Sequence, residues 1–134
     1  MAQTILLIDD DPDILAVAEA ALNRLDYLVL PIGDPHQAIR IAREQPIDLL
    51  LTDVVMPLMK GTELAARVQA ISPTTKVLLM SGYQTADIAP SGRAFMAKPF
   101  DLDTLAKRVR ETLARPSAFA KGPRGEDGRG LSKR

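Results

Sequence analysis

Ile-Asp-Leu-Leu-Leu-Thr-Asp, residues 47–53, is a short apolar run closed by a carboxylate. Leu49, Leu50 and Leu51 follow one another without interruption, the pattern of a central strand covered on both faces, because a half-exposed strand would alternate with polar residues. The same arrangement recurs on either side. Towards the N-terminus, Thr4 to Ile8 runs into Asp9 and Asp10. Towards the C-terminus, residues 76–80 run into Ser81, and Ala94 to Ala97 into Lys98 and Pro99. Residues 27–31 read as a further strand whose last residue, Pro31, suits a sheet edge, where a missing N–H costs little.

Helical periodicity fills the intervals. Ile14, Leu15, Val17, Ala18, Ala21, Leu22 and Leu25 recur at i, i+3, i+4 and i+7 spacing. Asp11-Pro12 and Asp34-Pro35 each read as an N-cap followed by proline at the first helical position, and Asp101 caps a closing helix carrying Leu102, Leu105, Val109 and Leu113. Ala38, Ile39 and Ala42 face the core from the second helix, which Pro46 ends; Leu64, Ala65, Val68 and Ile71 do so from the third. Strands alternating with helices through short connections predict an α/β fold, a parallel sheet with helices on both faces. Ligands of such sheets bind beyond the carboxyl ends of the strands. Asp9, Asp10, Asp53, Ser81 and Lys98 all fall at that edge.

Composition narrows the classes. The 134 residues, 46% of them hydrophobic, supply one core. Absence of cysteine excludes disulfides, zinc–thiolate sites and thiol nucleophiles, so a cytoplasmic location is the default expectation. The first apolar run is too short to span a bilayer and lacks the features of a secretory signal, so no membrane association is expected. Residues 1–115 hold 12 of the 17 Lys/Arg and 15 of the 17 Asp/Glu, leaving a mildly acidic body and a mildly basic tail. That distribution does not favour DNA or RNA, which call for a concentrated basic surface. The expected division is a domain at residues 1–115 and a flexible Gly-, Pro- and Arg-rich tail at 116–134. Those last 19 residues are too few for an output domain.

Carboxylates gathered at one point suit a hard cation such as Mg²⁺, which takes oxygen ligands and keeps several waters. Without a cation three like charges raise a carboxylate pKa, and Lys98 offsets part of that charge. A carboxylate in such a site can accept a phosphoryl group, whose oxygens a metal, an ammonium and a hydroxyl then hold.

Ile-Asp-Asp-Asp-Pro at 8–12, Leu-Leu-Thr-Asp-Val-Val-Met-Pro at 50–57, Gly61, Met-Ser-Gly-Tyr at 80–83 and Lys-Pro-Phe at 98–100 occur in order, with the acids, Ser81 and Lys98 at strand ends. Across residues 4 to about 115 the chain resembles a two-component response-regulator receiver domain, with a flavour similar to receivers that accompany hybrid sensor kinases. The resemblance implies a flavodoxin-like sheet of order 2-1-3-4-5, Asp53 as phosphoacceptor, and Mg²⁺ held by Asp9, Asp10, Asp53 and the Val55 carbonyl. It also implies Ser81 as the hydroxyl that follows the phosphoryl group, Lys98 as its ion-pair partner, a cis peptide before Pro99, and Phe95 as the switch aromatic. A histidine kinase or histidine phosphotransfer protein would be the donor and a separate protein the effector, with a homodimer left open. Only 16 residues separate Ser81 from Lys98, so the fourth helix is expected to be shortened to residues 84–89.

Plainer readings accompany these. Asp11 needs no metal to explain it, Asp26 and Asp48 read as surface or turn acids, His36 as a surface residue, and the methionines as packing. Phe95 fits either a fixed core residue or a rotameric switch. A Mg²⁺ phosphatase with an aspartyl-phosphate intermediate shares the Asp9/Asp11 spacing, but no cap insertion for substrate is present. A receiver that binds its partner without phosphorylation is the other alternative. Nucleotide or flavin binding is disfavoured because the turn after the first strand carries Asp-Asp-Asp-Pro and no glycine-rich cradle.

Overall fold

The computed structural model describes residues 2–82 and 93–116. The expected short helix at 84–89, Tyr83 and nearly all of the tail lie outside the described residues. The elements are β1 (Thr4–Ile8), α1 (Pro12–Asn23), β2 (Leu28–Ile32), α2 (Pro35–Glu44), β3 (Leu49–Asp53), α3 (Gly61–Ile71), β4 (Lys76–Ser81), β5 (Ala94–Ala97) and the closing helix α4 (Leu102–Ala114). The five strands form one parallel sheet ordered β2-β1-β3-β4-β5, the flavodoxin-like order expected.

Unbroken apolar runs occur because successive side chains serve opposite layers. Leu6, Ile8, Leu50 and Leu79 pack with Ala38 and Ile39 of α2 and Leu64 and Val68 of α3. Ile5, Leu7, Leu51 and Leu78 pack with Ala18 and Leu22 of α1 and Leu105 and Val109 of α4. With both faces sealed, polar side chains reach solvent only at the strand ends.

The helix starts follow their caps. Asp11 accepts from the Asp13 N–H, Asp34 from the His36 N–H and Asp101 from the Thr104 N–H. Helix α3 differs: Lys60 holds its N-cap position with no side-chain cap bond. Three strands end one residue later than the apolar runs suggest: β2 at Ile32, β3 at Asp53 and β4 at Ser81, so Pro31 is inside its strand and Asp53 and Ser81 belong to the ladder. Leu28 N–H and the Ile32 carbonyl both bond towards β1, which turns the alternate residue Pro31 outwards at the free edge.

Three apolar residues of the helix patterns are not core. Val17 is 55% exposed, Leu25 46% and Leu102 49%. Leu25 lies past the end of α1, Val17 is rotated about 100° from buried Ala18, and Leu102 opens α4 before its first buried turn. Asp48 is also more than a turn acid. Its Oδ2 accepts from the Thr4 N–H at 2.7 Å, its N–H donates to the Thr4 carbonyl at 3.0 Å, and its carbonyl accepts from the Lys76 N–H at 3.0 Å. One residue thus ties the starts of β1, β3 and β4 at the edge opposite the acids.

Replacing Asp48 with Ala removes a charge-assisted acceptor for the Thr4 N–H. Urea titration should show a loss of about 1–2 kcal/mol, with no change at the distant acidic edge.

Candidate functional site

Register brings the acids together. Ile8 pairs with Thr52, so Asp9, one residue beyond β1, stands beside Asp53 at the end of β3. Asp53 in turn pairs with Met80, and Ser81 with Ala97, so Ser81 and Lys98 border the same edge. Lys98 N–H donates to the Ser81 carbonyl at 2.9 Å, and the Lys98–Pro99 peptide is cis as expected.

Asp9 is fully buried and both its oxygens are engaged: Oδ1 accepts from the Asp11 N–H at 2.9 Å and Oδ2 pairs with Lys98 Nζ at 2.7 Å. Asp53 is 7% exposed; its Oδ2 lies 3.2 Å from the same Nζ and its Oδ1 accepts from the Val55 N–H at 3.3 Å. Lys98 therefore bridges two carboxylates and sits nearer Asp9 than Asp53. Asp10 is exposed on the rim. Ser81 is buried at the last position of β4, and Val55 is half exposed on the loop that follows β3.

Burial pushes the Asp53 carboxyl above its ordinary value; Lys98 opposes this and the neighbouring Asp9 charge adds to it. Burial alone would lower the Lys98 ammonium, but its hydrogen bond to Asp9 and the Asp53 charge outweigh that and raise it.

Asp9, Asp10 and Asp53 each present one carboxylate oxygen, all within 4.8 Å of one another. An all-oxygen donor set with one exposed member fits a hard divalent cation.

The backbone behind Asp53 is tightly fixed. Gly61 N–H donates to the Val54 carbonyl at 2.8 Å, and a Cβ on Gly61 would collide with the Asp53 carbonyl. Thr52, buried and not singled out by the motif reading, donates its hydroxyl to the same carbonyl at 2.9 Å. Leu58 on this loop takes a left-handed φ of 77°, and its side chain is 75% exposed. A cavity of about 770 Å³ opens over Asp53 and Lys98, walled by Ile14 and Val17 of α1, by Val55, and by Pro99 and Phe100. The helical periodicity gives no sign of the apolar wall on α1, because Val17 shares the stripe of Ile14, Ala18, Ala21 and Leu22. Phe95 is half-buried on the β5 face towards α2 and α3. Met59, Met80 and Met96 are buried, and His36 is exposed in α2, away from the site.

A doubly wound sheet with three carboxylates and a lysine at its carboxyl edge defines a class of α/β domain whose edge chemistry suits hard cations and phosphoryl groups. Within that class, the family model of the response regulator receiver domain matches residues 5–110, and the chain belongs to this family, the receiver domains of two-component signal transduction. The chain is 34% identical over 114 residues to the response regulator receiver protein CpdR of Brucella abortus (strain 2308), covering 81% of this chain and 95% of that protein. It is 36% identical over 127 residues to the DNA-binding transcriptional regulator NtrC of a Bradyrhizobium species (strain RP501 Parasponia), covering 91% of this chain but 26% of that protein. The receiver domain of the hybrid histidine kinase CckA superposes with a TM-score of 0.72 at 37% identity, covering 82% of this chain and 98% of that one. No helix among the described residues is long and apolar enough to cross a membrane.

Two outcomes follow from this geometry. Gly61→Ala should push the Asp53 carbonyl out of line and cost about 1–3 kcal/mol in denaturant unfolding. For Asp53, a folded pKa above the unfolded one means that its contribution to stability is full below the ordinary value of 3.8 and is lost as pH rises through the folded value. Asp53→Asn should therefore raise the melting temperature at pH 7, and the gain should shrink to nothing as pH falls to about 4 and below, measured by calorimetry across that range.

Proposed function

We propose that the chain is a phosphoacceptor module: Asp53 takes a phosphoryl group from a histidine kinase or a histidine phosphotransfer protein, and the added charge changes a protein–protein surface. The observation that carries the reading is the Lys98 ammonium between buried Asp9 and Asp53, 2.7 and 3.2 Å away. An ammonium at that point neutralises charge on the incoming group while staying anchored to the second carboxylate.

The residues divide the work. An oxygen of Asp53 attacks phosphorus, and the P–N bond to the donor histidine breaks, leaving the imidazole neutral once it has regained a proton. Lys98 holds a phosphoryl oxygen and the Ser81 hydroxyl follows another. Asp9, Asp10, Asp53 and the Val55 carbonyl would hold Mg²⁺, which when bound supplies positive charge to the phosphoryl oxygens. Buried Asp9 keeps Lys98 in place, and Thr52 and Gly61 hold the Asp53 backbone. Ile14, Val17, Pro99 and Phe100 form an apolar rim that suits the flank of a donor helix bearing the phosphohistidine. Phe95, at the edge strand, would carry the change to the effector surface.

On this reading the domain occupies residues 1–115, and residues 116–134 are a basic appendage. The chain supports its own phosphoryl transfer and autodephosphorylation and turns over no separate substrate. Its location is cytoplasmic, it binds a protein effector rather than DNA, and a homodimer is compatible with it.

Acetyl phosphate should give a single phosphoryl adduct by intact mass that requires Mg²⁺ and is absent from Asp53→Asn. A folded protein with no adduct on a rapidly quenched time course would instead favour a receiver that binds its partner without phosphorylation.

A further inference from the structure

The closing helix holds the edge strand of the sheet at one backbone atom. Along its inner edge β5 bonds to β4, with Lys98 N–H facing the Ser81 carbonyl. Peptide groups alternate in direction along a strand, so Phe95, three residues earlier, turns its N–H and C=O away from β4. That outward carbonyl accepts a hydrogen bond from Arg108 Nη2 of α4 at 2.9 Å. The other arm of the guanidinium is held by Glu111 Oε1 at 3.0 Å. The Arg108 carbonyl accepts from Thr112 Oγ1 at 2.7 Å, and Leu105 and Val109 are fully buried beside it. Arg108 is thus a braced fork, its side chain one-third exposed, and not a freely waving surface cation.

The position of this contact gives it a role. Phe95 packs its ring against the α2 and α3 layer, whereas Arg108 arrives from the α1 and α4 layer, so one residue is held from both faces of the sheet. Three residues further along, Lys98 carries the ammonium that lies nearer Asp9 than Asp53. Phosphorylation of Asp53 replaces a carboxylate of one negative charge by a phosphoryl group carrying about 1.5–2, and the added charge would draw that ammonium away from Asp9. Such a pull would fall on a four-residue strand at the sheet edge, the strand whose Phe95 carbonyl Arg108 holds.

We propose that Arg108 is a positioning residue of the phosphorylation response: it holds the Phe95 carbonyl, stabilises the unphosphorylated placement of β5, and makes the closing helix responsive to the state of Asp53. This rests on the reading of Asp53 as phosphoacceptor. Coupling of this kind is reciprocal, so if charge on Asp53 weakens the Arg108 bond, removal of the bond makes that charge easier to accept.

Beryllofluoride with Mg²⁺ mimics an aspartyl phosphate without turnover, and its apparent affinity can be titrated by NMR on the full chain. Arg108→Ala should bind it about fivefold more tightly than wild type. Glu111→Gln, which loosens the brace and leaves the arginine, should shift the same way by less. Arg108→Lys, which keeps a cationic donor, should return most of the wild-type value. Unchanged or weaker binding in folded Arg108→Ala would overturn the proposal, as would an Arg108→Lys shift equal to that of Arg108→Ala. Should Arg108→Ala not fold, the Glu111→Gln titration decides on the same terms. Wild type that fails to bind beryllofluoride would overturn the phosphoacceptor reading and this inference with it, an outcome distinct from wild type that binds and variants that do not differ from it.

Discussion

A fully buried carboxylate is costly unless a counter-charge and hydrogen bonds replace the water it has lost. Asp9 meets that condition through the Lys98 ammonium at 2.7 Å and the Asp11 N–H at 2.9 Å. Because Lys98 comes from the far end of the chain, this one interaction requires β1 and β5 to be held at a fixed distance across β3 and β4. The two sealed layers provide that fixity. They also leave the strand ends as the place where charged groups meet solvent, which is why acids, ammonium and hydroxyl share one edge.

Asp53 is placed within this frame and is held less firmly than Asp9. Its longer contact to Lys98 and the burial that raises its pKa describe a carboxylate with unmet electrostatic demand. Such a group gains from a divalent cation, and the same ammonium stands ready to stabilise further negative charge. Its backbone, by contrast, is pinned by Thr52 and by the close approach of Gly61. A firm backbone under a poorly compensated side chain suits a site whose charge changes during signalling.

The kinship with CpdR and with the CckA receiver fits this arrangement, and the shared family accounts for the order of the motifs. Departures from the expected local chemistry lie around the site. Lys60 takes the α3 N-cap, where Asp, Asn or Ser would serve better, and exposed Leu58 adopts a backbone angle usually left to glycine or asparagine. Both residues lie on the loop carrying Val55, so the stretch beside Asp53 is shaped by something other than local propensity.

Much of this was legible in residue order. Apolar runs ending in acids specified the strands, and Asp-Pro pairs specified the starts of α1 and α2. The acids fell at strand ends because an unbroken apolar strand has nowhere else to place a charge. Other features depend on residues distant in sequence, and local pattern holds no record of them. Asp48 looked like any turn acid until β1 and β4 were laid beside it. Val17 looked like a core residue until the rotation of α1 turned it to the cavity. Arg108 is one of several cations on its helix, and only the edge position of β5 gives it a carbonyl to hold. The sequence by itself therefore determined which groups collect at the carboxyl edge, since strand period and helix caps are local properties. The tertiary structure alone decided that Lys98 leans towards Asp9 and that Arg108 reaches Phe95, because both contacts are set by the packing of whole layers.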